Sequence, residues 1–265
     1  MFRNAESARR NGTMSSWSQK RQFLVIAGAL IAAAAFFGVS VFIAWYRAPS
    51  CFDKKQNQDE RGVDCSGSCA LLCPHETIAP IVHFVRALPA GEAVWSAVAY
   101  VENKNPTAGA LRASYVFKLY DADNLLAYER RGEAFIPPRS AFPVVEGGLR
   151  VGGRVPTRAT FEFLALPRFV TLREQPRLVI RNRAFREEGG VSRLDAELYN
   201  PALAAVADVE ASALLYDNTG TVFAASETVI KEIAPQSAVA LNFTWQRTFS
   251  APPARSEIFY QVPPQ

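Results

Sequence analysis

The chain has 265 residues, 49% hydrophobic and 20% charged, too apolar and too weakly charged for a disordered tail. Seventeen Pro and 15 Gly without a glycine period exclude a collagen-like rod and suit a turn-rich architecture. The formal charge of +4 arises in the N-terminal flank, where Arg3, Arg9, Arg10, Lys20 and Arg21 face only Glu6, so the basic pI is no nucleic-acid signal.

After a basic tail over residues 1–22, Phe23 to Trp45 runs 23 residues without a charge, long enough to cross about 30 Å of hydrocarbon. The pattern predicts a single transmembrane helix over 23–46, bracketed by Lys20 and Arg21 on one side and by Trp45, Tyr46 and Arg47 on the other. Basic flanks stay cytoplasmic, so the tail is expected inside the cell membrane and the C-terminal domains outside the cytoplasm. The run is longer than a signal-peptide core, and Arg47 to Ser50 makes a poor cleavage site. Small residues four apart, at Gly28 and Ala32, Ala29 and Ala33, and Ala34 and Gly38, permit close helix approach and a homodimer; an alanine-rich span also produces them by chance.

A cysteine-rich stalk is expected over 47–77, with Cys51, Cys65, Cys69 and Cys73 crowded together. So short a segment buries no useful core and needs cross-links. Outside the cytoplasm these are expected to be two disulfides, with three pairings open; a four-thiolate zinc site is the rival, matched only in part because Cys51 stands alone. No cofactor is expected, but Asp53, Asn57, Asp59, Glu60 and Asp64 supply oxygen ligands for a weak calcium loop, although their spacing matches no EF-hand. Cys51, Asp53, Asn57, Glu60, Val63, Asp64, Cys65, Gly67, Cys69 and Cys73 together resemble a short cysteine motif of bacterial secreted and surface proteins, with Ser66 in place of a glycine. That resemblance implies a surface location, not an activity.

Beyond Pro80, alternation with period two predicts half-buried strands. Tyr115, Phe117 and Leu119 point one way and Ser114 and Lys118 the other; Val209, Ala211, Ala213 and Leu215 are opposed by Glu210 and Ser212; Val239, Leu241, Phe243 and Trp245 form the clearest strand. One face is expected in the core and the other in water. The blocks repeat: Leu119-Tyr120-Asp121 returns as Leu215-Tyr216-Asp217, Asn105-Pro106 as Asn200-Pro201, and Ile136 to Ala141 as Ile233 to Ala238. This predicts a mainly β chain ending in two tandem immunoglobulin-like β-sandwiches, over 78–170 and 171–265. Asp121 to Asn124 and Asp217 to Gly220 read as hairpin turns, and Pro137, Pro138 and Pro235 as loop markers. Phe117-Lys118-Leu119-Tyr120-Asp121 resembles the signature strand of a prokaryotic β-sandwich family named for Phe-x-Leu-Tyr-Asp; the second copy has Ala213 in place of Phe. The resemblance implies an extracellular or envelope-attached module without known catalytic residues.

No catalytic motif emerges. His75-Glu76 opens like a zinc-protease helix, but Ala79 stands where the second His is required. Gly147-Gly148 and Gly152-Gly153 read as turn glycines around a short basic strand. Arg177, Arg181 and Arg183 fall on one side of a strand and form a candidate basic stripe for an anionic polymer, or simply a solvated face balanced by Glu174, Glu187, Glu188 and Asp195. The expected function is that of a non-enzymatic, membrane-integral binding or scaffold protein whose partner is an envelope protein or glycan and not a nucleic acid. The alternative is a structural subunit of a membrane-embedded assembly such as secretion or division machinery.

Overall fold

The computed structural model describes residues 15–45, 50–57 and 59–264; Arg3, Glu6, Arg9, Arg10, Tyr46 and Arg47 lie outside the described residues. The chain divides into two bodies, Met1–Asp53 and Lys54–Gln265. In the first, helix α1 spans Ser15–Trp45, and its Gln19–Trp45 portion is long and apolar enough to cross a membrane. Phe23, Leu30 and Ile43 are exposed on it. A helix apolar on all sides, without a polar face, needs apolar surroundings.

The second body opens with Cys65, Cys69 and Cys73 of the cysteine module, Cys51 falling in the first. Cys65 is bonded to Cys73, and Cys51 and Cys69 are also disulfide-bonded, so no cysteine is free. No thiolate therefore remains for zinc. Ser66 takes a left-handed backbone with φ 59°; its hydroxyl donates to Glu76 and accepts the Cys73 N–H at 3.1 Å. Gly67 follows at φ 64°, and a Cβ there would stand 2.2 Å from the Asp59 carbonyl oxygen, so only glycine fits.

Among the described residues thirteen strands follow: β1 Ile81–Gly91, β2 Val94–Asn103, β3 Ala108–Tyr120, β4 Leu126–Ile136, β5 Ser140–Arg150, β6 Arg158–Phe163, β7 Val170–Thr171, β8 Val179–Glu188, β9 Val191–Tyr199, β10 Val206–Tyr216, β11 Val222–Ile233, β12 Ala238–Trp245 and β13 Arg255–Gln261. They form antiparallel sheets in the orders β1-β2-β5, β4-β3-β6 with β7 on β3, β8-β9-β12 and β11-β10-β13. The first two sheets close on a core that includes Val101, Phe117, Ile136 and Phe142; the other two close on Leu198, Leu215, Phe243 and Trp245. Each pair of sheets is a sandwich, and one strand order repeats in both.

Hydrogen bonds repeat with the strands. Buried Asn103 donates to the Ala108 and Pro137 carbonyls and accepts the Asn105 N–H; buried Asn200 donates to the Ala204, Ile233 and Ala234 carbonyls and accepts the Ala202 N–H. Asn103 is thus the counterpart of Asn200, which moves the sequence match of Asn105 with Asn200 by two residues. Asp121 accepts the N–H groups of Asp123 and Leu125, as Asp217 accepts those of Thr219 and Thr221. Both turns form the expected hairpins. Gly147 and Gly148, in contrast, lie inside β5 at a bulge facing β2, not in a turn.

The strands are not simply core on one side and wet on the other. Val98 of β2 and Val145 of β5 pack with Leu214 and Tyr216 of β10 and Val222 and Ala225 of β11 in a third core, which joins the sheet β1-β2-β5 to the sheet β11-β10-β13. The order of layers is therefore β4-β3-β6, β1-β2-β5, β11-β10-β13, β8-β9-β12. Corresponding positions explain why stacking stops there. The cross-strand pair Val98 and Val145 is matched in the second copy by Asp195 and Asn242, and the pair Leu214 and Ala225 is matched in the first by Lys118 and Glu129. Apolar pairs meet in the middle, while charged and polar pairs face water at both ends.

Candidate functional site

The clearest departure of one copy from the other sits beside the third core. Where the second sandwich has Ala211 and Phe243 in its interior, the first has Tyr115 and Glu146; Glu146 faces Ala97 across the ladder just as Phe243 faces Leu194. The Tyr115 hydroxyl donates to Glu146 Oε1 at 2.8 Å, and Arg130 Nε donates to Oε2 at 3.0 Å. Burial and the adjacent Glu146 carboxylate push the Tyr115 hydroxyl pKa strongly up, so it stays a donor. The fold tolerates an apolar pair at these positions, so the polar trio is not something the sandwich itself requires.

Gly132 of β4 lies opposite Tyr115, and a Cβ on it would stand 2.4 Å from the Tyr115 hydroxyl oxygen and 2.7 Å from Glu146 Oε1. Bare backbone at this position leaves the space that the trio occupies. The trio opens onto a cavity of about 290 Å³ between the sandwiches, into which Glu210 of β10, Glu227 of β11 and Gln261 of β13 also project. Gln261 Nε2 is buried there without a hydrogen-bond partner among the described residues.

Glu227 keeps solvent contact, yet displacement of water by the cleft walls raises its pKa to about 7; repulsion from Glu146 and Glu210 adds to this, and attraction to Arg130 opposes it. Burial also raises the pKa of Glu210. Glu146, Glu210 and Glu227 line one cavity in which Arg130 pairs with Glu146 and also attracts Glu227, and Glu227 takes up a proton near neutral pH.

The native state accordingly holds a proton on Glu227 at pH values where the unfolded chain has released it. Stability should then fall as pH rises from about 4.5 to about 7 and level off above, by about 1–2 kcal/mol once solvent screening is allowed for. Glu227→Gln should be more stable than the parent at pH 8 and equal to it near pH 4.5, measured as the difference between urea unfolding curves. An unchanged difference across that range would remove Glu227 from the account. The difference measurement is needed because Asp121 and Asp217, whose pKa values are lowered chiefly by side-chain hydrogen bonds from Arg154 and Thr219, lose stabilisation as pH falls through the acid range.

The residues singled out from sequence lie elsewhere. Asp64 accepts the Lys54 N–H at 3.0 and 3.1 Å, Glu60 accepts the Asn57 N–H at 3.1 Å, and a hydrogen bond from Ser68 holds the Asp59 pKa down. These carboxylates act as turn acceptors within the module, and the Asp53 N–H donates to the Ser50 carbonyl. Arg177, Arg181 and Arg183 are all exposed, but a bulge between Arg181 and Ala184, with Asn182 at φ 52°, interrupts their alternation. Arg181 lies over the Tyr199 ring at 3.8 Å, and Arg183 donates to the Ser256 carbonyl at 3.0 Å. His75 is exposed, and His83 pairs with Glu102 at 2.8 Å. Sequence reasoning missed Glu146 and Glu227; Glu210 is exposed as its wet-face reading expected, yet it also lines the cavity, because a polar residue at alternate strand positions looks the same whether it faces water or a second domain.

No family model and no curated protein matches the chain. Among solved structures, the crystal structure of red sea bream transglutaminase is similar over 70% of this chain and 29% of that chain, at 11% identity and a TM-score of 0.22. This chain thus spans under a third of that protein's length, and a likeness at that level carries no functional reading.

Proposed function

We propose that this chain is a single-pass, membrane-anchored binding or scaffold protein of the cell envelope, with its N-terminus in the cytoplasm and its β body outside. In this reading α1 is the anchor, the oxidised cysteines form the stalk, and the two sandwiches are immunoglobulin-like repeats of the Phe-x-Leu-Tyr-Asp type. The observation that carries it is the combination of an apolar helix, charge-free from Phe23 to Trp45, with four cysteines that are all disulfide-bonded. Oxidised cysteines belong to compartments outside the cytoplasm, and the basic residues before the helix favour the same orientation. A rigid two-sandwich body with loops at its ends suits recognition of an envelope protein or glycan.

Protease added to intact cells tests this. Digestion of the β body, with the N-terminal tail surviving until the cells are lysed, is the expected result. Survival of both sandwiches in intact cells, alongside digestion of a known surface protein, would refute the orientation.

A further inference from the structure

At one end of the second sandwich, the β10–β11 turn and the β12–β13 loop meet the end of β1 around a cavity of about 420 Å³. Its apolar wall includes Leu88, Pro89, Phe223, Phe249 and Pro252. Phe249 is held edge-on to Phe223 at 5.0 Å and to Trp245 at 5.7 Å between ring centroids. These contacts fix an aromatic surface in place before any ligand arrives.

Arg247 stands in the same lining. Its guanidinium has long contacts with carbonyl oxygens, Nη1 to Pro89 at 3.4 Å and Nε to Thr248 at 3.5 Å, stands 5.8 Å from the Phe249 ring centroid, and forms no ion pair among the described residues. The neighbouring carboxylates are engaged elsewhere. Asp217, which also lines the cavity, is held by the N–H groups of Thr219 and Thr221, and Glu187 by the Ser192 hydroxyl and the Phe249 N–H. A guanidinium presents a planar fork matched to a carboxylate, and here it borders an apolar hollow of small-ligand size.

We propose that this cavity binds a small organic acid, with an aryl or other apolar body against Phe223 and Phe249 and its carboxylate on Arg247. The proposal deepens the reading as a binding protein by naming a ligand class, and it does not depend on which side of a membrane the body lies.

The full-length protein in detergent micelles, titrated calorimetrically with 3-phenylpropionate and separately with 3-phenylpropanamide, tests it. The acid should bind saturably in the millimolar range or tighter, and the amide at least tenfold more weakly. Arg247→Gln should bring the acid down to the affinity of the amide, while Arg112→Gln, on the far sandwich, should leave it unchanged. Equal affinities for acid and amide in the parent protein, or no saturable binding of the acid to protein with an intact unfolding transition, would overturn the proposal. Both comparisons can fail while protease still digests the β body on intact cells, so the site and the orientation are judged separately.

Discussion

Leu214→Lys is expected to cost about 3–5 kcal/mol and to loosen the two sandwiches from each other. Leu214 is fully buried in the third core with Val98, Val145 and Tyr216, and its cross-strand partner Glu257 is already engaged, accepting from the Tyr216 hydroxyl at 2.7 Å and pairing with Arg255 at 2.9 Å. The substitution loses the burial of a leucine and brings an ammonium into an apolar interface, where pairing with Glu257 would compete with the bonds that carboxylate makes to Tyr216 and Arg255. It also installs the residue that the first copy carries at the corresponding position, Lys118, on a face that meets solvent. Urea unfolding should change from one transition to two, and limited proteolysis should cut between the sandwiches, near residues 172–178. The reciprocal Lys118→Leu should change stability by no more than about 0.5 kcal/mol, since that position has no apolar partner face. If Leu214→Lys unfolds in one transition at the parent's midpoint, the third core does not join the sandwiches.

Gly132→Ala is expected to destabilise by about 2–4 kcal/mol, an unusual cost for one added methyl group in a strand. The new Cβ cannot share space with the Tyr115 hydroxyl and Glu146, so either the hydrogen bond between them breaks or β4 moves away from β3. Tyr115→Phe keeps the ring, loses the hydroxyl, and should cost about 1–2 kcal/mol because Glu146 retains Arg130. The double variant should cost less than the two single variants added together, because removing the hydroxyl relieves part of the clash. Full additivity in a double-mutant cycle by urea unfolding would mean that Gly132 does not serve the trio.

The parts of this molecule that were legible share a local origin. The run from Phe23 to Trp45 is apolar at every turn, and so forms a helix whatever surrounds it. Tyr115, Phe117 and Leu119 alternate with Ser114 and Lys118 because a pleated strand puts successive residues on opposite faces. The duplication was visible because Leu-Tyr-Asp recurs where a strand ends and an aspartate caps the next turn. The Asn103 and Asn200 match was misjudged by two residues because Asn105-Pro106 offered the better string, while the matching roles are defined by carbonyls more than 30 residues away.

The cleft was illegible for a different reason. Glu210 and Leu214 are both even-numbered positions of one strand, on the face turned from the sandwich core, and nothing local tells which of them meets another domain. Sequence alone determined an apolar helix, a cross-linked cysteine segment and two copies of one β unit, since each follows from the chemistry of residues close along the chain. Only the tertiary structure decided which cysteine meets Cys73, which sheet of the first copy lies on which sheet of the second, and that Glu146, Glu210 and Glu227 share one cavity. Those contacts depend on surfaces complementary across long stretches of chain, and their stabilisation arises only after the separate elements have formed.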